Sequence, residues 1–215
     1  MFRINYLFML LFIFFGIGCA RSEKIDAQEN KNHSQLPKQS SPEDLQKYNK
    51  LGWDLCNAVS RKNIERALEA IRAGADINFI CDSGDLEYFP LLIATHHVNL
   101  KMVKLLLDNG AKVDFTASSG FTSLMDTAVN GQPEIAKVLI EYKANVNAVD
   151  ADGWTALMCA AKFNQLEMVK LLIKNGADVN LKDKTNKTAL MYAEENKNTA
   201  IIKALKAAGA GELRL

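Results

Sequence analysis

The chain has no excess charge of either sign: 26 lysines and arginines stand against 25 aspartates and glutamates. Residues 1–18 carry only Arg3, so without them the balance is 25 to 25. Such a surface exerts no long-range pull on nucleic acid, and no nucleic-acid partner is expected. Nor is there a comfortable membrane span, since the apolar run from Leu7 to Phe15 falls short of the ~20 residues a bilayer needs. Catalytic signatures are missing too: there is no G-x-S-x-G elbow, no H-E-x-x-H, no phosphate-binding glycine loop and no dinucleotide fingerprint. The histidines are only His33, His96 and His97, and the spacings of the four cysteines match no zinc pattern. His96 and His97 are neighbours, so on a helix they point about 100° apart, and a surface helix end is a better reading of them than a chelate. No catalytic residue, metal site or cofactor is expected.

What the chain has is repetition. AGADIN at 73–78 returns as NGAKVD at 109–114, YKANVN at 142–147 and NGADVN at 175–180, with a fainter echo around Gly209. The intervals are 36, 33, 33 and 33 residues. Leu91-Leu92-Ile93-Ala94 aligns in the same way with Leu124-Met125-Asp126-Thr127, Leu157-Met158-Cys159-Ala160 and Leu190-Met191-Tyr192-Ala193. A fixed period of this length means one supersecondary unit, stacked.

The unit from Asp152 to Asp183 shows the local physics. Gly153-Trp154 is a turn tip, and Thr155 can cap a helix by accepting an early N–H at its hydroxyl. A short helix of small residues follows from Ala156 to about Asn164. A second runs from about Leu166 to Asn175, with Met168, Val169, Leu172 and Ile173 on one face of a 3.6-residue period. Gly176 ends it, because a residue without Cβ enters the left-handed region at no steric cost. In the unit before, Pro133 stands at the first position of the second helix, where its missing N–H is harmless. Helix, turn, helix, hairpin loop is therefore the repeating element.

Gly153-Trp154-Thr155-Ala156-Leu157, Ala160-Ala161, Leu166 to Leu172 and Asn175 to Asn180 together resemble the ankyrin repeat. The resemblance implies an all-α ankyrin-repeat solenoid over residues 41–215: five helix-turn-helix units joined by hairpin loops, near 51–83, 84–116, 117–149, 150–182 and 183–215. Leu92, Met125, Met158 and Met191 replace the family's histidine, and the methionines read as inter-repeat core. Phe89 stands where the threonine belongs, and the loop before it is three residues longer, so that turn is expected to be distorted. Solenoid ends must tolerate water. Arg66 and Lys206 meet that need at otherwise apolar positions, and residues 42–60 read as a longer capping helix with Gly52 as a place to bend. Cys56, Cys81 and Cys159 read first as buried small hydrophobes, although the longer loop gives Cys56 room to pair with Cys81.

Residues 1–18 read as a signal peptide, with one arginine, the apolar run and small residues before Cys19. Ile17-Gly18-Cys19 resembles a bacterial lipobox, with Gly16 where leucine is usual; an ordinary cleaved signal and an uncleaved anchor are the other readings. Lipidation of Cys19 would anchor the chain in the envelope, and Ala20 after the cysteine favours the outer membrane, facing the periplasm. Residues 19–40 are too polar to bury a core and read as a disordered tether with a reach of about 25 Å.

In the resembled family, partners dock on the concave side, formed by the hairpin tips and the first helix of each unit. Three tips here carry Tyr88, Phe121 and Trp154, aromatics with no structural necessity at such a place, followed by Lys187. His96, His97, Val129, Asn130, Lys162 and Phe163 fall near first-helix ends on the same side. Aromatics of this kind anchor interfaces, and exposed apolar patches are seldom idle. The opposing reading is that each ring folds back as a lid over its own repeat. The expected function is thus a tethered, monomeric protein-binding module, a scaffold or stabiliser, with an inhibitor or immunity-type protein as the alternative use of the same face. The anchor is checked by mass spectrometry of the mature N-terminus: an acylated Cys19 is expected, with Cys19→Ser left unprocessed, whereas soluble protein bearing an unmodified N-terminus elsewhere rules the anchor out.

Overall fold

The computed structural model describes residues 42–82 and 87–211, so the segments expected to be a signal peptide and a tether, with Cys19 and His33, lie outside the described residues. Among the described residues, ten helices and one two-stranded ribbon form an all-α repeat solenoid. The elements are α1 Pro42–Ser60, α2 Ile64–Arg72, β1 Cys81–Asp82, β2 Glu87–Tyr88, α3 Pro90–His96, α4 Leu100–Asp108, α5 Ser123–Asn130, α6 Pro133–Glu141, α7 Ala156–Lys162, α8 Leu166–Lys174, α9 Ala189–Glu195 and α10 Thr199–Ala207. First helices α1, α3, α5, α7 and α9 stack as one row, and α4, α6, α8 and α10 as a second. No described helix is long and apolar enough to cross a membrane.

The caps form as the side chains dictate. Thr122, Thr155 and Thr188 accept the N–H of Met125, Met158 and Met191 at 3.2, 3.2 and 3.4 Å, while Phe89 offers no side-chain cap and is buried. The ring of Phe89 meets that of Phe115 edge-on instead, at 5.1 Å. The distortion expected at this turn takes the form of the β1–β2 ribbon, in which Cys81 pairs with Tyr88. Between the two rows of helices lie Met102, Leu106, Leu124, Met125, Leu139, Leu157, Met158 and Met168, each almost wholly buried. Met191 departs from the expected methionine core and is 45% exposed, because the last unit has no described neighbour beyond it.

The recurring phrase turns out to fasten each unit to the next. Its last residue reaches across to the following phrase: Asn78 Oδ1 accepts the Lys112 N–H (2.9 Å), Asp114 the Asn145 N–H (3.0 Å), Asn147 the Asp178 N–H (2.8 Å) and Asn180 the Gly211 N–H (3.0 Å). Asn147 and Asn180 also use the other arm of the amide, donating to the carbonyls of Gly176 (3.1 Å) and Gly209 (3.2 Å).

The capping helix runs unbroken through Gly52, which serves packing and not bending. A Cβ there would lie 2.3 Å from the ring of Phe79, a fully buried side chain that seals the first unit with Tyr48 and Trp53 edge-on to it. Arg66 and Lys206 are exposed, as end positions require. Two of the cysteines correct the expectation of separate buried hydrophobes: Cys56 on α1 and Cys81 on β1 form a disulfide, with Cα atoms 6.8 Å apart. The inserted loop brings Cys81 back against α1, and closing a loop of this size stabilises a fold by about 3.5 kcal/mol in the chain-entropy account. Cys159 is free and buried, as expected.

Each second helix ends in the left-handed region, at Gly74, Gly110, Lys143, Gly176 and Gly209. Added Cβ atoms at Gly74, Gly110 and Gly176 would touch nothing, so φ alone favours glycine there. Lys143 holds φ of 69°, which costs a non-glycine residue on the order of 1 kcal/mol. A second left-handed stop, invisible in the repeated phrase, closes the first helices at Lys62, Val98, Gly131, Asn164 and Lys197. Lys143→Gly is expected to raise the unfolding midpoint by a few degrees, the relieved strain outweighing the added freedom of the unfolded chain. An unchanged or lowered midpoint in thermal denaturation counts against this account of the helix stop.

Candidate functional site

The 33-residue register sets side chains of successive units side by side. One row along the hairpins is Tyr88, Phe121, Trp154 and Lys187. A second, within the first helices, is Ile93, Asp126, Cys159 and Tyr192. Two more, at the ends of those helices, are His96, Val129, Lys162 and Glu195, then His97, Asn130, Phe163 and Asn196. Of the residues singled out in the sequence, all but Phe121 are half-buried, with some surface on this face. Phe121 does not project: it is only 7% exposed and belongs to the packed interior. Its ring behaves as the lid reading supposed, while Trp154 at the equivalent tip of the next unit keeps some surface.

Toward the C-terminal end the face is an aromatic platform gripped by cations. Asp150 and Asp183 shape their hairpins by accepting backbone N–H groups, from Asp152 and Trp154 in one and from Thr185 and Lys187 in the other. This sets Trp154 over Tyr192 of the next unit, ring centres 4.6 Å apart at 34°. Tyr192 is buried and donates its hydroxyl to Asp183. Lys162 and Lys187 lie 5.3 and 5.4 Å from the centre of the same ring, and both pair with Glu195. Burial and the Asp183 hydrogen bond push the Tyr192 hydroxyl up from its ordinary pKa. Burial opposes ionisation of Asp183, but donors from Tyr192, Thr185 and the backbone outweigh it and hold the carboxyl low. The hydrogen bond from Lys187 likewise lowers Glu195.

Toward the N-terminal end the chemistry is that of imidazole and a buried carboxylate. His96 Nδ1 lies 3.2 Å from Asp126 Oδ1, which also accepts from Asn130 Nδ2 at 3.0 Å. Asp126 is 6% exposed, and its Oδ2 makes no hydrogen bond among the described residues. The Asp126 hydrogen bond raises the pKa of His96 against the opposing effect of burial. His97, the cap residue just past α3, bonds through Nδ1 to the Ser60 carbonyl at 3.0 Å, and burial lowers its pKa. Burial, and then the Asp126 charge, raise Tyr88.

Sequence reasoning missed Asp126, Tyr192 and Glu195. The signal for Asp126 was present in the alignment, where a carboxylate interrupts a row otherwise filled by Ile93, Cys159 and Tyr192. A separate groove between α1 and α2, lined by Leu51, Asp54, Arg61, Arg66 and Glu69 among others, includes none of the candidate residues. Among the described residues no three histidine, cysteine or acidic side chains converge as a metal cage. A family model described as ankyrin repeats, in three copies, matches residues 55–150 and 142–212. No curated protein matches the chain.

Proposed function

Since the chain belongs to the ankyrin-repeat family, whose members are typically interaction modules, we propose that the face built by its hairpins and first helices holds a partner protein. We further propose that lipidated Cys19 and the residue 19–40 tether keep the solenoid in the bacterial envelope, where it acts as a scaffold or stabiliser. The observation that carries the reading is the half-exposed aromatic and cationic surface of Trp154, Lys162 and Phe163 on one face. Large amphipathic rings fixed in position make strong anchors, since little side-chain freedom is lost when a partner covers them. The Cys56–Cys81 disulfide supports the proposed location, because such bonds persist in exported proteins and are rare where thiols are kept reduced.

The stack of Trp154 on Tyr192 alters what its truncation does. Trp154→Ala is expected to cost both partner affinity and about 1 kcal/mol of stability, the usual worth of an aromatic pair. Phe163, half-buried at the end of α7, is the cleaner probe. With a partner recovered by crosslinking, Phe163→Ala should weaken binding by about 2 kcal/mol with little change in unfolding midpoint. Exchanging the exposed outer-row residues Lys104, Lys137 and Lys170 for alanine should leave affinity nearly unchanged. Calorimetric affinities that fall for the outer lysines and not for Phe163 and Trp154 contradict the assignment of the face.

A further inference from the structure

We propose that His96 and His97 form an open binding site for a borderline transition-metal ion such as Zn²⁺, on the same face but independent of any protein partner. Adjacency on a helix argues against two imidazoles meeting at one ion, yet His97 lies past the last residue of α3 and its orientation is set elsewhere. Each ring is held by its Nδ1. Because the Ser60 carbonyl can only accept, His97 must donate from Nδ1, which leaves Nε2 as a bare lone pair when the ring is neutral. His96 does the same toward the Asp126 carboxylate. This is the outer arrangement of metal-bound histidines, whose second nitrogen donates to a carboxylate or a backbone carbonyl and so fixes tautomer and orientation.

Neither Nε2 has a hydrogen-bond partner among the described residues, and both rings reach the surface, His96 with 22% of its side chain exposed. The ring centres are 6.0 Å apart. A metal bound at ~2.1 Å to each Nε2 sits ~3.2 Å from each ring centre, so a tetrahedral pair spans ~5.2 Å. The observed separation is within an ångström of that span, so one ion fits between the rings once both Nε2 atoms turn toward it. Behind His96 stands Asp126, whose buried carboxylate leaves Oδ2 without a partner. Buried carboxylates are normally paired or held by a cation, and a metal on His96 places positive charge one imidazole away. Among the described residues no third protein ligand converges here, so water fills the remaining positions and the site stays open to exchange.

The test is titration of ZnCl₂ into the full mature chain by calorimetry, without any partner, so that its outcome is separate from that of the docking reading. One zinc per chain is expected. His96→Ala and His97→Ala should each weaken binding at least tenfold, and His33→Ala should leave it unchanged. Asp126→Asn should weaken it on the order of tenfold through loss of the outer carboxylate, with circular dichroism confirming that the fold is kept. Co²⁺ in place of zinc gives a second readout, a visible absorption band lost in the His96→Ala and His97→Ala double variant. Zinc affinity that survives the double variant, or no zinc bound at millimolar concentration, overturns the proposal.

Discussion

No single unit of this chain can bury both of its faces, so every other feature rests on how one unit is fixed to the next. Apolar burial between the two helical rows supplies most of the stabilisation, but it does not choose a register. The carboxamide or carboxylate at the end of each repeated phrase does. By accepting one defined N–H of the following phrase, Asn78, Asp114, Asn147 and Asn180 allow only one offset between neighbours. Each such bond is worth about 1 kcal/mol net, and its value lies in geometry more than in energy.

Fixed register is also what turns scattered side chains into a surface. Positions separated by one period become neighbours, so Trp154 finds Tyr192, Lys162 finds Glu195, and His96 finds Asp126. None of these pairs is local in sequence. The two ends of the face differ as a result, one a stacked aromatic pair between lysines and the other two tethered imidazoles over a buried carboxylate. The inserted loop belongs to the same system: the disulfide holds it to the capping helix, and Glu87 accepts from the N–H and hydroxyl of Ser118 in the next hairpin.

Much of this was legible because period and chemistry repeat together. Thr155 reads as a cap and Gly176 as a helix stop from elementary stereochemistry, and both hold in the structure. Lys143 could be picked out as strained by its place in a row of glycines. What escaped were consequences of packing across units. Phe121 looked like an exposed tip, but its ring packs into the interior, whereas Trp154 at the equivalent tip keeps some surface and stacks on Tyr192. The pairing of Cys56 with Cys81 depended on the path of an inserted loop, which no period constrains. Val98 enters the left-handed region with a β-branched side chain, against its own preference, because the turn between α3 and α4 must match those of its neighbours.

The most direct test of the central claim, that this face and not the outer row meets a partner, is site-specific photocrosslinking in intact envelopes. A photoreactive phenylalanine analogue is placed at Phe163 in one variant and at Lys170 in another. The account predicts a discrete covalent adduct from Phe163 and none from Lys170. An adduct formed from Lys170 alone contradicts it.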